Sequence, residues 1–140
     1  MDKKPHGSYK AEVRNGISYV WATGPFNEDI VQIYMQEKKD LFQTLGSSWG
    51  QILIFSGVSV FIPEAMELLG VSFKRSERAG MTRIAIIIED TPAYGITKQQ
   101  MEEHLSTLSL RYSFHESVGS AETWLAENQY TGLSCTPRIG

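Results

Sequence analysis

Polar and apolar residues alternate from Tyr9 to Arg14 and again from Ile17 to Ala22, and the two runs flank Asn15-Gly16. That dipeptide tolerates positive φ at both central positions of a type I′ turn, so the segment reads as a β-hairpin. A two-residue turn pairs Arg14 with Ile17, Glu12 with Tyr19 and Lys10 with Trp21. Tyr9, Ala11, Val13, Ser18, Val20 and Ala22 then share the opposite face, small and mostly apolar, as suits a face covered by a helix.

After Gly24-Pro25 the repeat lengthens. Asn27 is a good N-cap, Glu28 and Asp29 favour the positive end of a helix, and Ile30, Ile33, Tyr34, Leu41 and Leu45 form one apolar stripe that Gly46 ends. Gln51 to Phe55 is an apolar run long enough for a strand covered on both faces. A second helix starts at Pro63, allowed at the first helical position, and runs to Gly80. Gly70 inside it implies a close neighbour, since glycine there costs up to about 1 kcal/mol relative to alanine.

Ile84 to Ile88 repeats the strand signal. Thr97 and Gln100 have capping-box spacing for a third helix, with Ile96 and Met101 placed to staple it. Arg111 to His115 alternates as a last strand, and Ser120 is positioned to cap a closing helix, AETWLAEN. The order is ββαβαβαβα in a single α/β domain, a mainly parallel sheet with an N-terminal β-hairpin, because helices between strands require crossovers. Residues 1–7 read as a flexible N-terminus, 8–128 as the domain and 129–140 as a polar C-terminal tail.

Composition narrows the function classes. At 140 residues the chain is large enough to bury a proper core without staples. The single Cys135 has no partner for a disulfide or a zinc site, which suits a reducing cytoplasm. A net charge of −3, from 13 basic and 16 acidic residues, provides no broad field for nucleic acid. The basic cluster Lys74, Arg75 and Arg78 reads as a solvated helix face. The longest greasy segment, Ile52 to Ile62, falls well short of the roughly 20 residues a spanning helix needs. No transmembrane segment is expected, and peripheral membrane contact is left open.

In a parallel sheet three loops emerge at the carboxyl end, where such folds usually bind ligands: Gly24 to Phe26, Ser56 to Ile62 and Glu89 to Gly95. Phe26, Ser56, Ser59, Val60, Phe61, Ile62 and Tyr94 are the candidate site there, an apolar set with polar punctuation that suits an amphipathic small molecule or a protein partner. The rival reading makes the same residues plugs at the end of the core. Tyr19 and Trp21 are candidates for a homodimer face, unless the charged stems beside them cover the rings. Glu89 and Asp90 could bind Mg²⁺ or act as acid and base, although adjacent strand residues point to opposite faces. His6, His104 and His115 lack ligand spacing, Cys135 has no assigned base, and no phosphate-cradling loop follows any strand; no metal, cofactor or catalytic residue is assigned.

The stretch IFSGVSVFIPEA, followed by ERAGMTRIAIII and by FHESVGSAETWLAEN, resembles the STAS domain, and especially bacterial SpoIIAA-like proteins of the STAS and Sec14-like group. Ser56-Gly57-Val58-Ser59 keeps register with that family's Ser-Gly-Val-Thr. The resemblance implies a cytoplasmic, non-enzymatic regulatory domain that binds a protein partner or an amphipathic, lipid-like ligand. In the family's antagonists an aspartate and a phosphorylated serine open the second helix; here Ile62 and Pro63 stand there, so the phosphoserine switch is not expected. A homodimeric module using the hairpin face and a small enzyme using Glu89 and Asp90 are the alternatives.

Overall fold

A computed structural model describes residues 6–128. Most of the expected flexible N-terminus (residues 1–5) and the polar tail 129–140 with Cys135 lie outside the described residues. The chain order is β1 (Ser8–Arg14), β2 (Ile17–Thr23), α1 (Glu28–Phe42), β3 (Trp49–Ser56), α2 (Pro63–Ala79), β4 (Met81–Ile88), α3 (Tyr94–Leu105), β5 (Arg111–His115) and α4 (Val118–Asn128). The expected order ββαβαβαβα is therefore the observed one.

The hairpin pairs in the register that its turn dictates: Arg14 faces Ile17, Glu12 faces Tyr19 and Lys10 faces Trp21. Asn15 and Gly16 both take positive φ, 52° and 75°. The remaining strand pairs are parallel, and the sheet runs β1-β2-β3-β4-β5 with no reversal of direction. Successive right-handed crossovers stepping the same way put α1, α2 and α3 on one face. Their side chains, including Tyr34, Leu69, Phe73, Met101 and Leu105, pack with Val20, Leu53, Phe55, Ile84 and Ile86 into the main core. Alone on the other face, α4 packs Ala121 and Leu125 against Tyr19, Ile52 and Ala85. Among the described residues no helix is long and apolar enough to cross a membrane.

Several local expectations give way. The first helix ends at Phe42, so Leu45 reaches the core from the following turn, and Ile33 faces outward. Its buried positions are Ile30, Val31, Tyr34 and Lys38, which puts a lysine on the apolar stripe. The strand expected over Gln51 to Phe55 starts two residues earlier, at Trp49, which is buried with its Nε1 donating to the Ala79 carbonyl at 3.2 Å. The last helix starts at Val118, and Ser117 rather than Ser120 caps it, accepting from the Ser120 amide at 3.1 Å. Ser120 is turned to His115, with its Oγ 2.8 Å from Nδ1.

Gly70 does have the close neighbour its position implies. A Cβ built there would lie 2.5 Å from Nδ1 of His104, so the missing side chain lets α3 lay its imidazole against α2.

Candidate functional site

The three carboxyl-end loops are stitched together by their own backbone. Phe26 donates its amide to Val60 O at 2.9 Å and accepts from the Ile62 amide at 3.3 Å, forming a parallel bridge to Phe61. Gly57 donates its amide to Glu89 Oε1 at 2.6 Å, and the Glu89 amide donates to Phe55 O at 3.0 Å. The segment before α2 is thus tied on one side to the β2–α1 loop and on the other to the end of β4.

A third tie comes from α3. This helix opens at Tyr94, so Thr97 lies inside it and the expected capping box does not form. The two side chains clamp a neighbouring loop instead. Thr97 Oγ1 donates to Ser59 O at 2.8 Å, Gln100 Nε2 donates to Phe61 O at 3.1 Å, and the Phe61 amide donates to Gln100 Oε1 at 3.4 Å. Residues three apart on a helix share a face, so one face of α3 meets the polar backbone of the 59–61 loop. The staple does not form either, because Met101 is buried and Ile96 exposed.

This stitching divides the sequence candidates. Phe26 and Phe61 are buried and stacked at 4.4 Å between centroids, with Phe55 edge-on at 5.9 and 5.8 Å. They plug the end of the core, and the apolar cavity they line there measures only about 40 Å³. Ser59 is buried as well, its hydroxyl donating to Ser56 O at 3.0 Å. Ser56 is half-buried, with its hydroxyl 2.8 Å from Thr23 Oγ1, and Val60 is half-buried. Phe26, Ser59 and Phe61 therefore leave the candidate site, since satisfied and covered groups offer nothing to a ligand.

What remains outside is a different set. Ile62 is 45 % exposed and Tyr94 37 %, and two residues that sequence reasoning passed over, Val58 at 52 % and Ile96 at 54 %, join them. Val58 and Ile62 flank the clamped segment, and Tyr94 and Ile96 sit in the first turn of the helix that clamps it. The extended loop accounts for two of them: once Ser59 and Phe61 face inward, alternation turns 58 and 62 outward. Exposed Glu64 and Asp90 flank the same edge.

The hairpin candidates also separate. Tyr19 is buried beneath α4, where its hydroxyl donates to Glu122 Oε2 at 2.5 Å; burial and that carboxylate push its pKa up to about 12. It cannot serve as a contact face. Trp21 stacks on it at 5.8 Å and is half-buried. Arg14 lies over both rings, 4.6 Å from Tyr19 and 5.6 Å from Trp21, and Lys10 is 5.4 Å from Trp21, so the charged stems do cover the rings. Glu89 is committed to the Gly57 amide, and among the described residues no group of three or more His, Cys, Asp or Glu could hold a metal ion.

The largest surprise lies at the opposite end of the sheet. Lys38 is 2 % exposed, with Nζ donating to Gln51 Oε1 at 2.5 Å and lying 5.1, 5.7 and 5.8 Å from the rings of Tyr34, Phe42 and Trp49. Desolvation alone pulls its pKa down to about 7. Gln51, fully buried, also accepts from Ser18 Oγ at 3.2 Å. Burial raises the pKa of the Tyr34 hydroxyl and a hydrogen-bonding contact with the Gln51 side chain opposes the rise, although Gln51 Nε2 has no well-aligned acceptor. The sequence did hold a signal, since position 38 continues the stripe Ile30, Tyr34 by another four residues. No protein-family model matches the chain, and no curated protein matches it in sequence.

Proposed function

We propose that this protein is a non-enzymatic, STAS-like binding module that docks an amphipathic, basic segment of a protein partner on the edge formed by Val58, Ile62, Tyr94 and Ile96. The observation that carries the reading is the placement of exposed grease. Of six large apolar side chains exposed among the described residues, four fall at this corner, where α3 clamps the loop before α2. Clusters of this kind on an otherwise polar surface mark interaction sites. Glu64 and Asp90 beside it favour a partner that carries lysine or arginine next to its apolar anchors.

Two further features support a macromolecular occupant. The backbone beneath the edge is held by Thr97, Gln100 and Glu89, so little ordering entropy is lost on contact. The apolar cavity under Phe26 and Phe61 measures about 40 Å³, whereas small-ligand pockets span about 300–1,000 Å³. The Ser56-Gly57-Val58-Ser59 resemblance to STAS domains agrees with a binding role at this loop, and Pro63 at the helix start leaves that role without the family's phosphoserine.

Site-specific photo-crosslinking in living cells tests the reading. A photoreactive residue replacing Ile96 should capture a discrete partner, one replacing Arg75 on the solvated face of α2 should not, and Ile62→Asp should abolish the capture. Equal capture from position 75, or capture indifferent to Ile62→Asp, would refute it.

A further inference from the structure

We propose that Lys38 is a carbonyl-reactive amine that captures small apolar or aromatic aldehydes as an imine, admitted through the cleft between β1 and α1. The amine sits on Gln51 near the start of β3, the cleft runs along β1, and the site is independent of the edge described above. Four observations carry it.

First, the amine is enclosed without a counter-charge. Aromatic rings and a neutral amide surround Nζ, and the nearest acid on its own helix, Glu37, accepts a hydrogen bond from Tyr9 instead. The charged groups of the adjoining wall are Lys10 and Glu37, with the Tyr9 phenol raised by burial and by Glu37, and β3 contributes only neutral Gln51. An ammonium in such a place has lost its hydration and found one hydrogen bond, so the free base is well populated at neutral pH, as the pKa of about 7 expresses.

Second, there is room. A cleft of about 390 Å³ is lined by Tyr9, Ala11, Ile33, Tyr34, Lys38 and Leu41 together with Lys10 and Glu37, a size that suits a small ligand. Tyr9, Ile33, Tyr34 and Leu41 on its wall suit an aliphatic or aromatic body, while Lys10 and Glu37, opposite in charge, give a charged keto acid no net attraction.

Third, the chemistry balances without a co-reactant. The amine lone pair attacks the carbonyl carbon and a C–N bond forms. Both N–H protons of the neutral amine leave with the carbonyl oxygen as water, giving the C=N bond and no change of oxidation state.

Fourth, Gln51 is built to accept the product. Its Nε2 lacks an aligned acceptor while its Oε1 takes two hydrogen bonds. The amine donates to Oε1, but an imine nitrogen has only a lone pair. Turning the amide over presents Nε2 as the donor the imine needs, with Ser18 Oγ able to accept from it, and moves Oε1 to the place Nε2 held, where the Tyr34 hydroxyl can donate to it.

The test uses the intact protein with benzaldehyde at pH 7, reductive trapping with cyanoborohydride, and peptide mass mapping. Exposed Lys39, next along α1, is the internal reference. An ordinary lysine with a pKa near 10.4 holds less than about one free amine in a thousand at this pH, so Lys38 should label at least about tenfold faster than Lys39. Ile33→Trp, which fills the cleft from an exposed helix position, should cut Lys38 labelling at least about fivefold and leave Lys39 unchanged. Labelling of Lys38 at or below the rate of Lys39 overturns the proposal, and so does labelling that Ile33→Trp leaves intact, because it would then report unfolding rather than entry through the cleft.

Discussion

Replacing Lys38 by methionine should make this protein more stable, and most so in mild acid. The side chain is 2 % exposed and its pKa falls from about 10.4 in the unfolded chain to about 7 in the fold. Between those values the unfolded chain binds the extra proton, so this group makes stability rise with pH, by about 1.4 kcal/mol per unit. The penalty is complete below pH 7, where it reaches about 4–5 kcal/mol, and has shrunk to about 2 kcal/mol at pH 9. Methionine keeps the unbranched apolar stem against Tyr34, Phe42 and Trp49 and removes the charge, at the loss of one hydrogen bond worth about 1 kcal/mol. Gln51 Oε1 keeps its bond from Ser18. Urea unfolding of both proteins at pH 6 and pH 9 isolates the term, since the other titrating groups cancel in the difference. Lys38→Met should gain about 3 kcal/mol at pH 6 and about 1 kcal/mol or less at pH 9. A difference that does not change with pH, or a variant less stable than the parent at pH 6, would refute the picture of a desolvated amine.

The remaining structural contacts yield sharper local tests. Thr97→Val leaves the Ser59 carbonyl without its donor, so unfolding free energy should drop by about 1–3 kcal/mol and amide exchange across residues 57–62 should quicken; unchanged exchange there would show that the clamp is idle. Gly70→Ala should be neutral or destabilising in the parent protein, where the new Cβ meets His104, but should stabilise by about 0.5–1 kcal/mol in a His104→Ala background, and the same sign in both backgrounds would deny the contact. Trp21→Lys should leave the mass seen by light scattering unchanged, because Tyr19 beneath it is already covered by α4; a change in association state would reinstate the hairpin as a dimer face.

Element order and hairpin register were legible in the sequence because they depend on local signals. Asn15-Gly16 needs only its own φ angles, and the strand runs need only their apolar length. What the sequence concealed was which side chains a neighbouring element would claim. Thr97 and Gln100 have the spacing of a cap, but spacing cannot tell a bond to the helix's own amides from one to Ser59 and Phe61 across the fold. Phe26 and Phe61 looked like lining for a groove for the same reason: loop position suggests exposure, and only the contact between two loops turns both rings inward. Lys38 drew no reading from the sequence, since a lysine is ordinarily assigned to the solvent even when it falls on the apolar stripe.

The strand order explains why the carboxyl end holds plugs and not a pocket. Open α/β sheets bind ligands where the strand order reverses, because adjacent loops there diverge to opposite faces and leave a crevice between them. Here β1-β2-β3-β4-β5 never reverses, and the loops from β2, β3 and β4 all turn to the face that carries α1, α2 and α3. Neighbouring loops converge, and their aromatic residues fill the gap that a reversal would have opened. Both proposed sites fall where the topology leaves the surface unfinished. At the carboxyl edge the convergence leaves Val58, Ile62, Tyr94 and Ile96 at the surface; at the side of the sheet the hairpin adds β1 next to α1, and the gap between them is the cleft that Lys38 lines.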